Sequence, residues 1–428
     1  MADLLIRNAT LPDGRSGIDV LVAGGRIVNV ARSINAAAGS TIDASGQLLS
    51  PPFVDAHFHM DSTLTYGTPR VNRSGTLLEG IALWGELKPR LTQEAIVERA
   101  LAYCDWAVAK GLLAIRSHVD VCDPRLLAVE ALLHVRGRVK PYLDLQLVAF
   151  PQDGALRSEG ALDLLQRALA MGVDGVGGIP HFERTMAEGA ESVKRLCEIA
   201  AEQGRFVDMH CDETDDPLSR HVETLALHAR RLGLGGRVTG SHLTSMHSMD
   251  NAYAAKLIAL LAESGVNAIA NPLINLTLQG RHDSYPKRRG MTRVPELMAA
   301  GVTVAYGHDC VMDPWYALGS GDMLEVAAMG LHVAQMTSEE GMRACFDAVT
   351  VNAARILGLD GYGIAPGHRA DFVLLEARDP VDAIRRRATR LKVFRAGEVI
   401  AETPPAAAAL KIPGRPQSVD WAAPARMS

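Results

Sequence analysis

His57-Phe58-His59 follows directly on the strand-like run Pro52-Phe53-Val54-Asp55-Ala56. Side chains two apart on a strand point the same way, so two imidazoles leaving one strand can grip one metal ion. In a chain with 14 His the pattern alone is weak. Its weight comes from His210 with Glu213, His242 and Asp309, each closing a short apolar run, with helix-length segments between the runs. Imidazole nitrogen and carboxylate oxygen suit Zn²⁺ or Fe²⁺ better than Mg²⁺ or Ca²⁺. Such a metal lowers the pKa of water toward ~7 and makes hydroxide available at neutral pH. Glu213, three residues after His210, stands where a general acid/base beside the metal would stand. His134, His221, His228, His332 and His368 lie in helical or surface contexts and are expected to be ordinary histidines. His118, His181, His247 and His308 also lie near strand ends, where structural hydrogen bonding is the expected duty.

Something must bring these residues together. From 52 to 362, β-rich apolar segments alternate with segments of helical period, such as Gln93 to Lys110, Ala161 to Met171 and Ala187 to Gln203. Strands are expected at Leu145–Phe150, Phe206–His210, Val238–His242 and Val302–Gly307. About eight such β-then-α units fit a (β/α)8 TIM barrel, whose strand ends converge on one mouth. A doubly wound sheet is the alternative, but no G-x-G-x-x-G follows the first strand. The segments at the two ends read differently. Asp3–Arg7, Ile18–Val22 and Arg26–Val30, with Gly24-Gly25 as a hairpin signal, are short strands. The texture returns in Ala370–Leu375 and Leu391–Ile400. The expected plan is a small β-sandwich built from 1–51 and 363–428, interrupted by a catalytic barrel over 52–362. The Pro- and Ala-rich stretch from about Thr403 reads as a surface-hugging or mobile tail.

Composition sets outer limits. Apolar residues make up 48% of 428, aromatics 5%, and the formal net charge is −5, an ordinary globular balance. The basic residues are scattered except for Lys287-Arg288-Arg289, for which a solvated loop or subunit contact is expected rather than nucleic-acid binding. The first twenty residues hold no continuous apolar stretch, so no secretory signal is expected, and no run suits a membrane span. Six dispersed Cys without a C-x-x-C pair read as reduced thiols. The expected location is cytoplasmic.

PPFVDAHFHMD, LDLQLVAFPQDG, GIPHFE, VDMHCDETDD, TGSHLTSMHS, NPLINLTLQGR and YGHDCVMDPWYALG together resemble the bacterial cytosine deaminases of the amidohydrolase superfamily. The resemblance runs in order along the chain and fades only in the last ~25 residues. H-x-H indicates only the superfamily, whereas VAFPQ with HCDE and HD-x-x-x-DPW narrows it to the cytosine deaminase branch. It implies that His57, His59, His210 and Asp309 hold one divalent ion, zinc or iron. His242 would hydrogen-bond the attacking hydroxide, and Glu213 would shuttle a proton to the ring nitrogen. Gln152 would hold the carbonyl and N–H edge of a pyrimidine, Leu77 would add a backbone contact and Trp315 would wall the pocket. A homo-oligomer, such as a hexamer, is also implied. The binuclear members normally carry a carboxylated Lys at the end of strand four. Here Gly177–Glu183 contains none, so one metal is expected.

One position departs from the family. Where the cytosine deaminases carry two consecutive carboxylates after the strand-eight His, this chain has Asp309-Cys310. Cys310 is smaller and uncharged, and is expected to widen the substrate range at the pyrimidine C5 position. The expected activity is deamination of cytosine, 5-methylcytosine or both. The alternatives are an aminohydrolase of another small heterocycle (isocytosine, a creatinine-like ring or a triazine) and a non-catalytic metal-binding scaffold.

Overall fold

Sixteen strands form among residues 2–419, the residues that the computed structural model describes. The chain divides into two compact units, Met1–Pro52 with Gly361–Ser428, and Phe53–Asp360.

In the first unit, β1 (Ala2–Ala9), β2 (Ile18–Ala23), β3 (Arg26–Ala31) and β4 (Ala38–Asp43) make one sheet in the order β3-β2-β1-β4. The short β5 (Leu48–Ser50) leaves that sheet for another, β16-β15-β14-β5. Its other members are β14 (Phe372–Leu375), β15 (Arg390–Arg395) and β16 (Glu398–Glu402). Period-two alternation puts Leu4, Ile6, Val20 and Val22 into a shared core with Leu49, Phe372, Leu374 and Phe394. The expected sandwich is there, with differences. β4 was not anticipated, because its exposed sequence AGSTID shows no apolar alternation. Leu391–Ile400 is two strands rather than one: Ala396 and Gly397, both at positive φ, turn the chain between β15 and β16. Residues 403–419 are mostly exposed, with an isolated bridge between Ala409 and Ser418, and the rest of the expected tail lies outside the described residues.

The second unit carries eight parallel strands in sequential order. They are β6 (Phe53–Phe58), β7 (Leu112–Asp120), β8 (Asp144–Phe150), β9 (Gly175–Gly178), β10 (Phe206–Cys211), β11 (Val238–His242), β12 (Val266–Ala270) and β13 (Val304–Tyr306). Helices such as Gln93–Ala109, Ala161–Met171, Met186–Glu202 and Asn251–Ser264 return the chain between them. Every residue of β7 is buried, as a strand covered on both faces requires. Helix starts are set by capping: Thr92, Thr185 and Asp250 each accept a backbone N–H with their side chains. The two outer strands meet just beyond their ends. Phe58 pairs with Asp309 in a parallel bridge, where Asp309 N–H donates to His57 O at 2.8 Å and His59 N–H to Asp309 O at 2.9 Å. The barrel is thereby nearly closed. No helix among the described residues is long and apolar enough to cross a membrane.

Lys287-Arg288-Arg289 is engaged by its own loop and by neighbouring segments of the barrel unit. Lys287 Nζ donates to Gly280 O and Asp283 O, Arg288 pairs with Asp283, and Arg289 donates to Val333 O.

Candidate active site

The C-terminal ends of the strands carry the chemistry. His57 lies on β6 and His59 just past it, His210 is on β10, His242 ends β11, and Asp309 lies beyond β13. His59 Nε2 stands 2.9 Å from His210 Nε2. Asp309 Oδ1 lies 3.6 Å from His57 Nε2 and 3.4 Å from His59 Nε2. His242 and Asp309 both adopt left-handed backbone, with φ of 72° and 70°. Such conformations cost about 1–3 kcal/mol each and tend to mark functional sites. At Asp309 the distortion lets both N–H and C=O bond to the His57–His59 segment while the carboxylate turns inward.

Two overlapping groups place their donor atoms within 4.8 Å of one another: His57, His59, His118 and His210, and His57, His242 and Asp309. The structure therefore brings the expected set together and adds His118, whose ring centroid is 4.3 Å from that of His57. The sequence reading gave His118 a structural duty. Its nearness follows from its place near the C-terminal end of β7, beside β6.

These residues fit a divalent cation. Both nitrogens of His57 and Nδ1 of His210 are buried without a hydrogen-bond partner among the described residues. Burial holds the pKa of His57, His59, His210 and His242 well below 6.5, reinforced by neighbouring rings, so their lone pairs are free for a metal. Three nitrogens and a carboxylate make a borderline donor set of the kind zinc or iron takes.

Glu213 is buried beside this cluster, and burial raises its pKa to about 8. Its Oε1 lies 3.3 Å from His242 Nδ1. The amide nitrogen of Asn275, 2.9 Å away, donates to the same Nδ1, which puts the ring proton on Nε2, 3.8 Å from Asp309 Oδ2. Asn275 was not singled out from the sequence, although it lies within NPLINLTLQGR. The signal was the Asn-Pro that starts the helix Pro272–Leu278.

A small cavity opens onto these groups, lined by His59, Gln152, Glu213, Asp309, Cys310 and Trp315 among others. Leu77 also lines it, as the first residue of the helix Leu77–Leu87, which Thr76 caps. Gly80, one turn on, lies against the Trp315 indole so closely that a Cβ would overlap the ring. Asp313 accepts the backbone N–H groups of Trp315 and Tyr316, each at 2.9 Å, and fixes the turn that presents the indole. Ile179, Ile274 and Leu278 complete the wall and were missed from the sequence, where nothing separates them from core residues.

The family model described as "Amidohydrolase family" matches residues 40–402. A crystal structure of 5-methylcytosine deaminase from Klebsiella pneumoniae, liganded with 5-fluorocytosine, superposes with a TM-score of 0.91 at 45% identity, covering 94% of this chain and 98% of that one. N-isopropylammelide isopropyl amidohydrolase of Pseudomonas sp. (strain ADP) is 29% identical over 409 residues, 93% of this chain and 97% of its own. Pterin deaminase of Rhizobium rhizogenes is 30% identical over 417 residues, 93% of this chain and 94% of its own. With a family match over most of its length and a histidine-rich pocket at the barrel mouth, the chain belongs to the amidohydrolase family and is a hydrolase of C–N bonds.

Proposed function

We propose that this chain deaminates a free pyrimidine base, 5-methylcytosine or cytosine, to thymine or uracil with release of ammonia. One observation carries the reading: an amide (Gln152), two carboxyl groups (Glu213, Asp309) and an uncharged thiol (Cys310) face a single small cavity. The 45% identity to a 5-methylcytosine deaminase supports the same substrate class.

His57, His59, His210 and Asp309 would hold one divalent ion, Zn²⁺ or Fe²⁺, which when bound supplies Lewis acidity that lowers the pKa of water toward ~7. The chain's own residues do the rest. Gln152 offers one donor and one acceptor, matching the carbonyl and N–H edge of the base. Trp315 and Leu77 wall the pocket around the ring. As water adds to the carbon bearing the exocyclic amine, Glu213 gives its proton to the adjacent ring nitrogen and takes one back from the water, so negative charge does not build up on the ring. A pKa raised to about 8 by burial suits a proton donor at neutral pH. Asp309 takes the remaining proton of the attacking water and passes it to the amine, which leaves as ammonia. His242, oriented by Asn275, steadies the attacking oxygen.

The second reading is an aminohydrolase of another ring, which the relatives acting on N-isopropylammelide and pterin favour. Ammonia or amine release from a panel of cytosine, 5-methylcytosine, isocytosine, creatinine, N-isopropylammelide and pterin decides between them. Preference for a non-pyrimidine ring would replace the first reading with the second. A metal-loaded protein inert toward every ring would indicate a scaffold.

A further inference from the structure

Behind the pocket wall, apart from the metal-ligand cluster, a buried polar network centres on Lys88. This residue directly follows the helix Leu77–Leu87. Its Nζ lies 2.8 Å from Asp120 Oδ2 and 2.6 Å from Asp153 Oδ2, and its side chain is only 12% exposed. Asp120 ends β7 and also accepts Trp84 Nε1–H at 2.8 Å and Cys122 N–H at 2.8 Å. Asp153 directly follows Gln152. Burial opposes the ammonium charge, but the two carboxylates outweigh it and raise the Lys88 pKa.

The consequence for Gln152 is specific. Its side-chain amide bonds to no described residue, so the backbone has to aim it. That backbone is a tight turn, with Gln152 N–H donating to Phe150 O at 3.0 Å and Gly154 N–H to Pro151 O at 2.9 Å. Asp153, in the middle of the turn, is tied by its N–H to Cys122 Sγ at 3.4 Å and by its carboxylate to Lys88. The same lysine secures the end of the helix that carries Leu77 and the Gly80 seat of Trp315. We propose that Lys88 is a positioning residue: it holds Gln152, through Asp153, in register with the helix that lends Leu77 to the substrate pocket. The inference deepens the pyrimidine reading and rests on it for its kinetic consequences.

Lys88→Met keeps the aliphatic stem and removes the charge, whereas Lys88→Arg keeps the charge. Lys88→Met is expected to raise KM for the base by about 10–100-fold, the scale of a misplaced binding group, with kcat within a few-fold. Lys88→Arg should recover most of the loss. Added to Gln152→Ala, Lys88→Met should raise KM no further, as in a double-mutant cycle on one pathway. Without substrate, hydrogen exchange of amides 152–154 should accelerate in Lys88→Met. Parental exchange rates there, or KM effects that add in full, would overturn the proposal. If the parent turns over no pyrimidine, the pyrimidine reading has failed, and the exchange rates alone decide on Lys88. Should Lys88→Met fail to fold, Asp153→Asn weakens only the tie to Gln152 and is judged on the same measurements.

Discussion

Cys310 Sγ lies 3.5 Å from Asp309 Oδ1 in the pocket wall. Burial, then Asp309 and Asp313, push its thiol well above the usual range, so position 310 brings no charge to the site. An aspartate there would put a third buried carboxyl between Asp309 and Asp313 and crowd the substrate. Pockets discriminate a methyl group by roughly 10–200-fold. Cys310→Asp is therefore expected to lower kcat/KM for 5-methylcytosine by about that factor relative to cytosine. Equal changes for both substrates would show that Cys310 does not discriminate.

Glu213→Gln should retain the fold and the metal while kcat drops by ~10²–10⁴-fold or more, the usual share of general acid–base catalysis. In the parent, activity should decline on the alkaline side as the proton on Glu213 is lost, near its raised pKa of about 8. A variant within about tenfold of the parent would make Glu213 a bystander.

Elemental analysis should find one divalent ion per chain. Chelation should abolish turnover, Zn²⁺ or Fe²⁺ should restore it, and Asp309→Asn should weaken metal retention. Because only the folded chain assembles the donor set, stripping the ion should also lower Tm. Two ions per chain, or full activity after stripping, would contradict the assignment.

Gly80→Ala tests the seat of Trp315. Alanine should favour the helix by about 1 kcal/mol, but overpacking against a buried ring costs about 1–3 kcal/mol. The steric cost should win, because the added Cβ would overlap the indole. The expected result is lower stability and a raised KM as Trp315 is displaced. An unchanged Tm and KM would mean that the indole has room to move.

His181 is half-buried with both ring nitrogens shielded from solvent, and burial, then His221, lowers its pKa to about 3. Below its ordinary value of 6.5 the unfolded chain takes up a proton that the native chain refuses, so stability falls as pH falls through that window. At pH 5 the loss is on the order of 2 kcal/mol. His181→Leu should lessen the stability drop between pH 7.5 and pH 5 in denaturation by about that amount, leaving the share of the other buried histidines. An unchanged drop would place the sensitivity elsewhere.

The barrel and its mouth were legible because His57, His210, His242 and Asp309 each follow an apolar run short enough to be a strand. Helix Ala161–Met171 and strand Val238–His242 have the bounds expected from pattern alone. What stayed hidden depends on tertiary packing. Ile179, Ile274 and Leu278 are apolar residues among many, and only the folded barrel selects them for the wall. His118 looks like any strand histidine until β7 is set beside β6. The Lys88–Asp153 pair spans 65 residues, and no local pattern announces it. β5 is only three residues long, too short to show a period.

The seam between the first and last barrel strands is sewn by the backbone of His57, His59 and Asp309, the same residues whose side chains face the cavity. Warming that parts this seam separates Asp309 from both histidines while the other strand pairings can still be intact. Catalytic competence should therefore be lost at a lower temperature than helical circular dichroism, and return first on cooling if the seam re-forms. In this molecule, ageing and heat damage would show themselves as silence at the site before they show as loss of shape.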